Sequence, residues 1–285
     1  MIMFRNLYDI TSQNCSKVIT NHYSTSFSMG IRTLQKKYRL PIYSIYGFVR
    51  LADEIVDTFH AYDKKALLTS LKKDTYDSIE REISLNPVLN AFQLVVKKYN
   101  IDAGLIDTFL QSMEMDLSKN KHSTDSYNQY IYGSAEVVGL MCLKVFVEGN
   151  EELYNDLKEP AKKLGAAFQK VNFLRDIQSD YQERGRIYFP GIDFEHFQNN
   201  DKEVIQKDIE ADFTAAYNGI LKLPKGCRKG VYLSYVYYLK LFYKIKKLPA
   251  SKILKSRIRI TGISKFALLL PVLISNNLSS QQLSK

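Results

Sequence analysis

The most informative stretch of the sequence is A-K-K-L-G-A-A-F-Q-K-V-N-F-L-R-D-I-Q-S-D-Y (161–181). Its apolar residues recur with the period of an α-helix, and a set of small and polar residues recurs at spacings of three and four. This second set forms one stripe along the helix, which consists of Gly165, Gln169, Asn172, Asp176 and Asp180. Because Lys163 and Lys170 already mark an outward face, we expect the stripe to face an internal cavity. The alternative is an ordinary solvated face.

A second helix carries a similar pattern in Y-G-F-V-R-L-A-D-E-I-V-D (46–57). Arg50, Asp53 and Asp57 lie together beside an apolar arc, whereas Glu54 points further round the helix. The plain alternative is a solvated flank in which Arg50 pairs with Asp53 or Glu54, a contact worth roughly 0.3 kcal/mol. The stripe on the first helix favours the other interpretation, in which both sets of acids border one cavity.

The spacing of these aspartates is weak as a signal by itself. Asp208 and Asp212, in K-D-I-E-A-D-F, have the same D-x-x-x-D spacing. No Arg, Asn or Gln accompanies them, only Lys207 and Glu210. We therefore interpret this third pair as part of a solvated helix face.

Two carboxylate pairs around one cavity require a cation between them. Mg²⁺ fits because it takes few carboxylates, keeps several waters and completes its coordination with phosphate oxygens. No pair of histidines or thiolates lies nearby to indicate zinc. Asn172 can add a neutral oxygen ligand, and Arg50, Arg175 and Arg186 can neutralise a phosphorylated substrate. The pattern therefore predicts a diphosphate-binding site.

Helical periodicity covers most of the chain, and no pair of alternating runs around a hairpin turn predicts a sheet. Gly and Pro are sparse and no repeat is present, which indicates one continuous domain over residues 1–285. We predict an all-α bundle, a fold in which ligand sites lie between facing helices. The predicted helices lie near 14–36, 41–60, 63–83, 87–99, 102–118, 125–148, 150–182, 201–222, 226–246 and 263–277.

The net charge of +10 favours an anionic partner, either a nucleic acid, an acidic membrane surface or a phosphorylated small molecule. No zinc-finger or RNP motif occurs, and basic residues are scattered up to the segment 240–259, so nucleic acid is not the expected partner. The three cysteines are too few and too far apart for a disulfide framework, which favours a reducing cytoplasm.

The N-terminus has no signal-peptide pattern. The late apolar run 266–274 is interrupted by Pro271 and is shorter than the roughly 20 residues of a membrane span. We expect a cytoplasmic protein, with peripheral contact to the inner face of a membrane as a further expectation.

These motifs resemble the squalene/phytoene synthase family, the head-to-head trans-isoprenyl diphosphate synthases, and most closely its bacterial phytoene synthases. The resemblance runs over nearly the whole chain. The elements that carry it are H-Y-S-T-S-F-S (22–28), Y-G-F-V-R-L-A-D-E-I-V-D (46–57), Y-I-Y-G-S-A-E-V-V-G (130–139), F-Q-K-V-N-F-L-R-D-I-Q-S-D-Y-Q-E-R-G-R-I-Y-F-P (168–190) and S-R-I-R-I (256–260) with Lys265. The fourth, which ends in an R-x-Y-x-P extension, is the most specific.

The resemblance implies the all-α isoprenoid synthase fold with a central active-site cavity. It also implies that two molecules of geranylgeranyl diphosphate condense through cyclopropyl prephytoene diphosphate to phytoene, the first step of carotenoid biosynthesis, without NADPH. Mg²⁺, or Mn²⁺ in its place, would be held by Asp53, Asp57, Asn172, Asp176 and Asp180. Diphosphate would contact Ser24, Ser26, Arg50, Arg186, Tyr188 and Tyr243. The reacting centre would include Tyr130, Tyr132, Gln169 and Arg175.

Two positions depart from the family pattern. Glu136 stands where the family has glycine, which indicates different local packing or a different metal environment, and Thr25 stands where many members have lysine. Simpler interpretations also remain for several residues. Ser24 and Ser26 can cap a helix, Tyr130 and Tyr132 can be core residues, and the segment 240–259 can be a solvated face, a membrane-surface patch or a lid over phosphate. Three further tyrosines at helical spacing are interpreted as core residues: Tyr232, Tyr235 and Tyr238.

Two other functions remain open at this stage. A member of the same family can make squalene or dehydrosqualene from farnesyl diphosphate, because cavity depth sets the chain length. A non-catalytic helical scaffold is the alternative from another class, although both aspartate motifs are intact.

Overall fold

The computed structural model describes residues 2–118 and 121–259. Within these ranges the chain is mainly helical, and the only β-type pairing is an isolated bridge between Lys121 and Ile187. The predicted all-α class is confirmed; the predicted helix 263–277 and Lys265 lie outside the described residues. The elements are α1 (Ile2–Tyr23), α2 (Thr25–Thr33), α3 (Lys36–Asp57), α4 (Lys64–Arg81), α5 (Pro87–Tyr99), α6 (Ala103–Ser118), α7 (Thr124–Ile131), the π-helical turn π1 (Tyr132–Glu136), α8 (Val137–Val147), α9 (Glu151–Gln178), the π-helical turn π2 (Ser179–Glu183), α10 (Asn199–Lys222), α11 (Lys225–Lys246) and α12 (Ala250–Ile253).

Polar side chains set the starts of several helices. Asp63, Ser123 and Asn150 each accept a hydrogen bond from the backbone N–H three residues later, which satisfies a group that the helix itself leaves unpaired. Ser24 does the same for Phe27, with an extended backbone. The prediction of one continuous helix over 14–36 is therefore wrong, because Ser24 separates α1 from α2.

The helix α3 is fixed by aromatic packing. Phe48 is fully buried and stacks on Phe92 of α5, with ring centroids 4.0 Å apart. It also contacts Phe109 of α6 at 5.5 Å. Burying a side chain of this size contributes about 1.5–3 kcal/mol. This packing holds α3 against α5 and α6 and leaves its acidic flank facing the interior cavity.

The lysine face of α9 is covered by α10, which corrects two predictions. Lys170 and Asp212 are both buried, and their charged groups lie 2.6 Å apart. Lys170 also pairs with Asp208 at 2.6 Å, and Lys163 pairs with Asp212 at 3.0 Å. Asp212 and Lys170 are therefore not on solvated faces. The two helices pack with their charged faces together, and the D-x-x-x-D pair of α10 holds lysines.

The continuous helical stretch Thr124–Val147 is long and apolar enough to cross a membrane. More than half of its most apolar window is buried against neighbouring helices. The turn π1 interrupts it where it approaches α6 and α9. A Cβ at Gly133 would lie 2.6 Å from the Cβ of Ser112, and a Cβ at Gly165 would lie 2.6 Å from the carbonyl oxygen of Ala135. Both glycines therefore permit close packing around the cavity.

Candidate active site

A cavity of about 690 Å³ lies between α2, α3, α6, α8, α9, α10 and α11. One end is polar and contains the predicted acids of α3 and α9. The other end is apolar and is bordered by residues such as Leu34, Phe146, Leu157 and Leu223. The arrangement suits a molecule with a charged head and a long apolar tail.

All five residues of the predicted stripe on α9 line this cavity: Gly165, Gln169, Asn172, Asp176 and Asp180. Asn172 donates to the Gln169 side-chain oxygen at 3.4 Å and accepts a hydrogen bond from the Tyr238 hydroxyl at 3.3 Å. Gln169 donates to the Ser134 hydroxyl at 3.5 Å. The stripe therefore forms a connected polar wall.

The acidic flank of α3 faces the same space. Asp53 and Asp57 both line the cavity. Burial raises the pKa of Asp53 to about 7, and the negative charges of Asp57, Asp116 and Glu54 add to this effect. Burial and the charge of Asp176 raise the pKa of Asp180 to about 6. Burial is the main cause of both raised pKa values, and neighbouring carboxylates add to it.

Arginines pair with the acids at this end. Asp57 accepts a hydrogen bond from Arg186 at 2.8 Å, and Asp180 accepts one from Arg184 at 2.8 Å. Asp176 contacts two arginines, Arg175 and Arg257. Such charge-assisted pairs bring guanidinium groups to the position where a diphosphate would lie.

Arg175 and Arg257 approach Asp176 from two elements. The Arg175 guanidinium donates to Asp176 at 2.6 and 3.0 Å. Arg257 lies 2.8 Å from Asp176 and comes from the segment after α12. The N–H of the next residue, Ile258, donates to the Arg175 carbonyl oxygen. Arg257 therefore lines the polar end of the cavity.

Arg50 is held differently from the other arginines. It pairs with Glu54 on the next turn of α3 and lies 3.9 Å from Asp53. Its guanidinium also lies over the ring of Tyr23, 4.3 Å from the centroid. The Arg50–Glu54 pair that the plain alternative proposed is therefore present, but Arg50 still lines the cavity.

Three side chains, those of Asp116, Tyr130 and Tyr188, form a buried cluster on the cavity wall beside α9. The Tyr130 hydroxyl donates to Asp116 at 2.6 Å, and the Tyr188 hydroxyl donates to the other oxygen of Asp116 at 3.2 Å. The Tyr188 ring stacks on Phe173 with centroids 3.9 Å apart. Arg186 donates to the Asp116 carbonyl oxygen at 3.3 Å and so joins the cluster to Asp57.

The structure does not bring three of the predicted residues to the cavity. Tyr243 is 39% exposed and lies five residues after Tyr238, about 140° further round α11. Tyr132 lies two residues after Tyr130 and points to the opposite side, where it packs against the core that includes Phe48. Ser26 is half-buried in the first turn of α2 and does not line the cavity. Ser24 does line it, although its hydroxyl caps α2.

The departures from the family pattern have different structural consequences. Ser134 faces the cavity and meets Gln169, whereas Glu136 points away toward Lys162, 4.0 Å distant. Burial raises the pKa of Glu136, and nearby lysines oppose this effect. Glu136 thus changes the packing of π1 against α9 and not the acidic end. Thr25 is exposed at the start of α2.

Sequence reasoning missed several cavity residues. Tyr238 is buried as predicted, but it also faces the cavity and stacks on Phe168 with centroids 4.1 Å apart. Arg184 and Arg257 were not assigned a role. Asp116 was missed as well, although it lies seven residues after the buried Phe109 and therefore on the same face of α6. An acid on a buried helix face was the available signal.

The acidic end fits a hard divalent cation. Its donors are the carboxylate and amide oxygens of residues that line the cavity, and these are the ligands that Mg²⁺ prefers. No three Asp, Glu, His or Cys side chains within the described ranges already converge on one point.

The family model described as squalene/phytoene synthase matches residues 20–264. The chain belongs to the squalene/phytoene synthase family. The matched range includes both acidic helices, the Tyr130 segment and the Arg257 segment. The enzyme is therefore a prenyltransferase that acts on isoprenoid diphosphates in a head-to-head condensation.

Relatives with different product names resemble the enzyme. A phytoene synthase from Arthrospira platensis is 29% identical over 209 residues, 70% of this chain and 67% of the relative. A 4,4'-diapophytoene synthase from Staphylococcus haemolyticus (strain JCSC1435) is 26% identical over 207 residues, 70% of this chain and 69% of the relative. The crystal structure of a dehydrosqualene synthase in complex with a ligand superposes with a TM-score of 0.80 at 23% identity, covering 93% of this chain and 96% of that one. This superposition confirms the isoprenoid synthase fold.

Proposed function

We propose that the enzyme condenses two molecules of geranylgeranyl diphosphate to phytoene, with Mg²⁺ and without NADPH. The observation that carries this choice of substrate is the length of the cavity. Leu157 and Asp176 both line it, and they lie 19 residues apart on α9. At 1.5 Å per residue this distance is about 28 Å.

The cavity length can be compared with the two candidate chains. An extended chain advances about 1.2 Å per bond, so the sixteen-carbon main chain of a geranylgeranyl group spans about 19 Å and the twelve-carbon chain of a farnesyl group about 14 Å. Within the 28 Å between Leu157 and Asp176, a geranylgeranyl chain leaves about 9 Å for its diphosphate, and a farnesyl chain leaves about 14 Å. The longer chain therefore fills the apolar end more completely.

The residues at the polar end support ionisation of the substrate. Arg175, Arg186 and Arg257 provide donors for the diphosphate, and charge-assisted contacts of this kind are the strong ones. A bound Mg²⁺ would neutralise charge on the leaving diphosphate. Asp53, Asp57, Asn172, Asp176 and Asp180 would hold the cation from both sides of the cavity.

The walls beyond the polar end protect a carbocation. Phe27, Phe168 and Tyr238 form a group of packed rings beside Asn172, with centroid distances between 4.1 and 6.4 Å. Their faces attract positive charge, and their surfaces exclude water that would otherwise quench the cation. Tyr130 and Phe173 extend this wall on the other side.

The test is to incubate the purified enzyme with Mg²⁺ and, separately, geranylgeranyl or farnesyl diphosphate without NADPH, and to identify the extracted hydrocarbons by mass. We expect a C40 hydrocarbon from the first substrate, lost in Asp53→Ala and Asp176→Ala. A C30 hydrocarbon alone would support the head-to-head condensation but contradict geranylgeranyl diphosphate as the substrate. Binding of the diphosphate substrate without any product would contradict the proposed catalytic function and favour a non-catalytic scaffold.

A variant of α9 tests the argument from length. Ala161 lines the cavity 15 residues before Asp176, about 22 Å from it. Ala161→Phe should exclude the geranylgeranyl chain and leave room for the farnesyl chain, so the ratio of C30 to C40 product should rise. An unchanged ratio would show that this end of the cavity does not set the chain length.

The second candidate is the condensation of two farnesyl diphosphates to dehydrosqualene. The resemblance to a 4,4'-diapophytoene synthase and to the fold of a dehydrosqualene synthase supports it. The same incubations distinguish the two candidates, because each substrate is offered alone.

A further inference from the structure

Charge balance requires that the reaction release protons. Each allylic substrate loses its diphosphate together with the electron pair of the C–O bond, which leaves a positive charge on the hydrocarbon. Two substrates joined in this way carry two positive charges in total. Without a hydride donor both must leave as protons, and with a hydride donor one must. A proton acceptor must therefore lie within reach of the reacting carbons, either in the cavity wall or on the departing diphosphate.

Asp116 is a carboxylate of the cavity wall that the diphosphate end does not use. It is 8% exposed and lies near the end of α6. Both of its carboxylate oxygens accept hydrogen bonds from tyrosine hydroxyls, those of Tyr130 and Tyr188. Asp57, Asp176 and Asp180 instead pair with arginines. Its carboxylate makes no ion pair within the described part of the chain.

Tyr130 cannot accept the proton by itself. Burial raises its pKa well above 10, and the charge of Asp116 adds to this effect, so a free phenolate does not form. Burial also raises the pKa of Asp116, to about 6, while Arg186 and the two tyrosine hydroxyls oppose the rise. Asp116 is therefore ionised at neutral pH and can take up a proton, whereas the Tyr130 hydroxyl can only pass one on.

We propose that Asp116 accepts the first of the two protons, the one released when the two substrates join, and that it acts through Tyr130. The second proton, whose electron pair forms the central double bond, is taken up by the departing diphosphate. The electron pair of the C–H bond that breaks enters the new carbon–carbon bond. The proton moves to the Tyr130 hydroxyl oxygen, and the hydroxyl proton passes to the Asp116 carboxylate oxygen, which lies 2.6 Å from the Tyr130 oxygen. No oxidant or reductant takes part. The proton leaves Asp116 for water once the product has left.

The neighbours of Asp116 position it for this transfer. Tyr188 holds its second oxygen, and Phe173 holds the ring of Tyr188 by stacking. Arg186 binds the backbone carbonyl and fixes the end of α6 relative to Asp57 on α3. Movement of α3 or of the Arg186 segment would therefore change the distance over which the proton moves.

The experiment uses substrate deuterated at C1, the carbon that loses diphosphate and joins its partner, and compares wild-type enzyme with Asp116→Asn. The amide keeps the shape and can still accept the Tyr130 hydrogen bond, but it does not accept a proton at neutral pH. General acid–base catalysis contributes about 100-fold or more, so kcat should fall by about that factor, with KM little changed. The deuterium isotope effect on kcat should increase, because C–H cleavage becomes rate-limiting.

Asp212→Asn is the matched control, because Asp212 is an equally buried carboxylate that pairs with Lys170 outside the cavity. We expect this variant to lose stability and to keep the wild-type isotope effect. Tyr130→Phe interrupts the same transfer without changing Asp116 and should show the same increase as Asp116→Asn. If Asp116→Asn does not fold, the isotope effect in Tyr130→Phe tests the proton transfer instead.

The proposal rests on the proposed condensation, and the two fail in different ways. Wild-type enzyme that makes no hydrocarbon would overturn both before any variant is measured. Wild-type activity combined with an unchanged isotope effect in Asp116→Asn or Tyr130→Phe would overturn only the assignment of the proton acceptor. In that case the departing diphosphate would remain the base.

Discussion

At the scale of single residues, the acidic end of the cavity is organised by arginines. Arg186, which lies between π2 and α10, pairs with Asp57 of α3. Arg175 and Arg257 both pair with Asp176. The guanidinium groups thus lie where a diphosphate must enter, and each can exchange a carboxylate for a phosphate oxygen because both are bound in the same planar geometry.

Arg257→Gln tests this arrangement. We expect KM for the diphosphate substrate to rise by about 10-fold or more, since a hydrogen bond to a charged group is worth about 1.5–3 kcal/mol. Steady-state kinetics measures the change. Lys255→Gln removes the same charge from an exposed position two residues earlier and should leave KM unchanged. Equal effects from both variants would indicate that only the net charge of the segment matters.

At the scale of helices, α9 is buried on two sides, against the cavity and against α10. The lysine–aspartate contacts on its second side include a pair that water does not reach. Breaking such a pair leaves an uncompensated charge in the interior, which costs more than the pair contributes. The position of the polar stripe therefore depends on charged residues that do not line the cavity.

Lys170→Met should lower the free energy of unfolding by about 3 kcal/mol, because Asp212 remains buried with only Lys163 as a partner. The double variant Lys170→Met with Asp212→Leu should recover most of this loss. Urea unfolding measures both. Lys222→Met, which breaks an exposed pair with Asp156, should cost less than about 1 kcal/mol. If the double variant were as unstable as the single one, lost packing and not the charge would be the cause.

At the scale of the whole molecule, the acidic end opposes folding when no cation is bound. The folded-state pKa of Asp53 is raised to about 7, above its ordinary value of 3.8, so the folded chain holds a proton there that the unfolded chain has released. The group therefore contributes less to stability as the pH rises through 7, and its penalty is absent below the ordinary pKa.

Asp53→Asn removes this penalty. In EDTA at pH 8 we expect the variant to have a higher Tm than the wild type, and at pH 5 the difference should be smaller, because the penalty shrinks as the pH falls from 7 toward the ordinary pKa of 3.8. Differential scanning calorimetry measures both values. Adding Mg²⁺ at pH 8 should raise the Tm of the wild type more than that of the variant. A difference in Tm that is the same at both pH values would contradict the raised pKa.

The sequence was sufficient for the features that depend on helical period and was insufficient for those that depend on how helices meet. The stripe of α9 and the flank of α3 follow from spacing alone, and both reach the cavity. The partners of Lys170 could not be predicted, because they depend on the packing of α10. Tyr243 was placed by resemblance, and the 140° between it and Tyr238 would have argued against that placement.

The apolar stretch Thr124–Val147 has a consequence for synthesis on the ribosome. The helix that covers most of it, α9, ends about 30 residues later. At 5–20 residues per second, the ribosome needs roughly 2–6 s to translate those residues. For that interval the nascent chain presents a segment whose length and apolar composition match those of a membrane-crossing helix. Slower translation over 148–178 prolongs this interval, so the yield of soluble enzyme should depend on codon choice in that short region of the message.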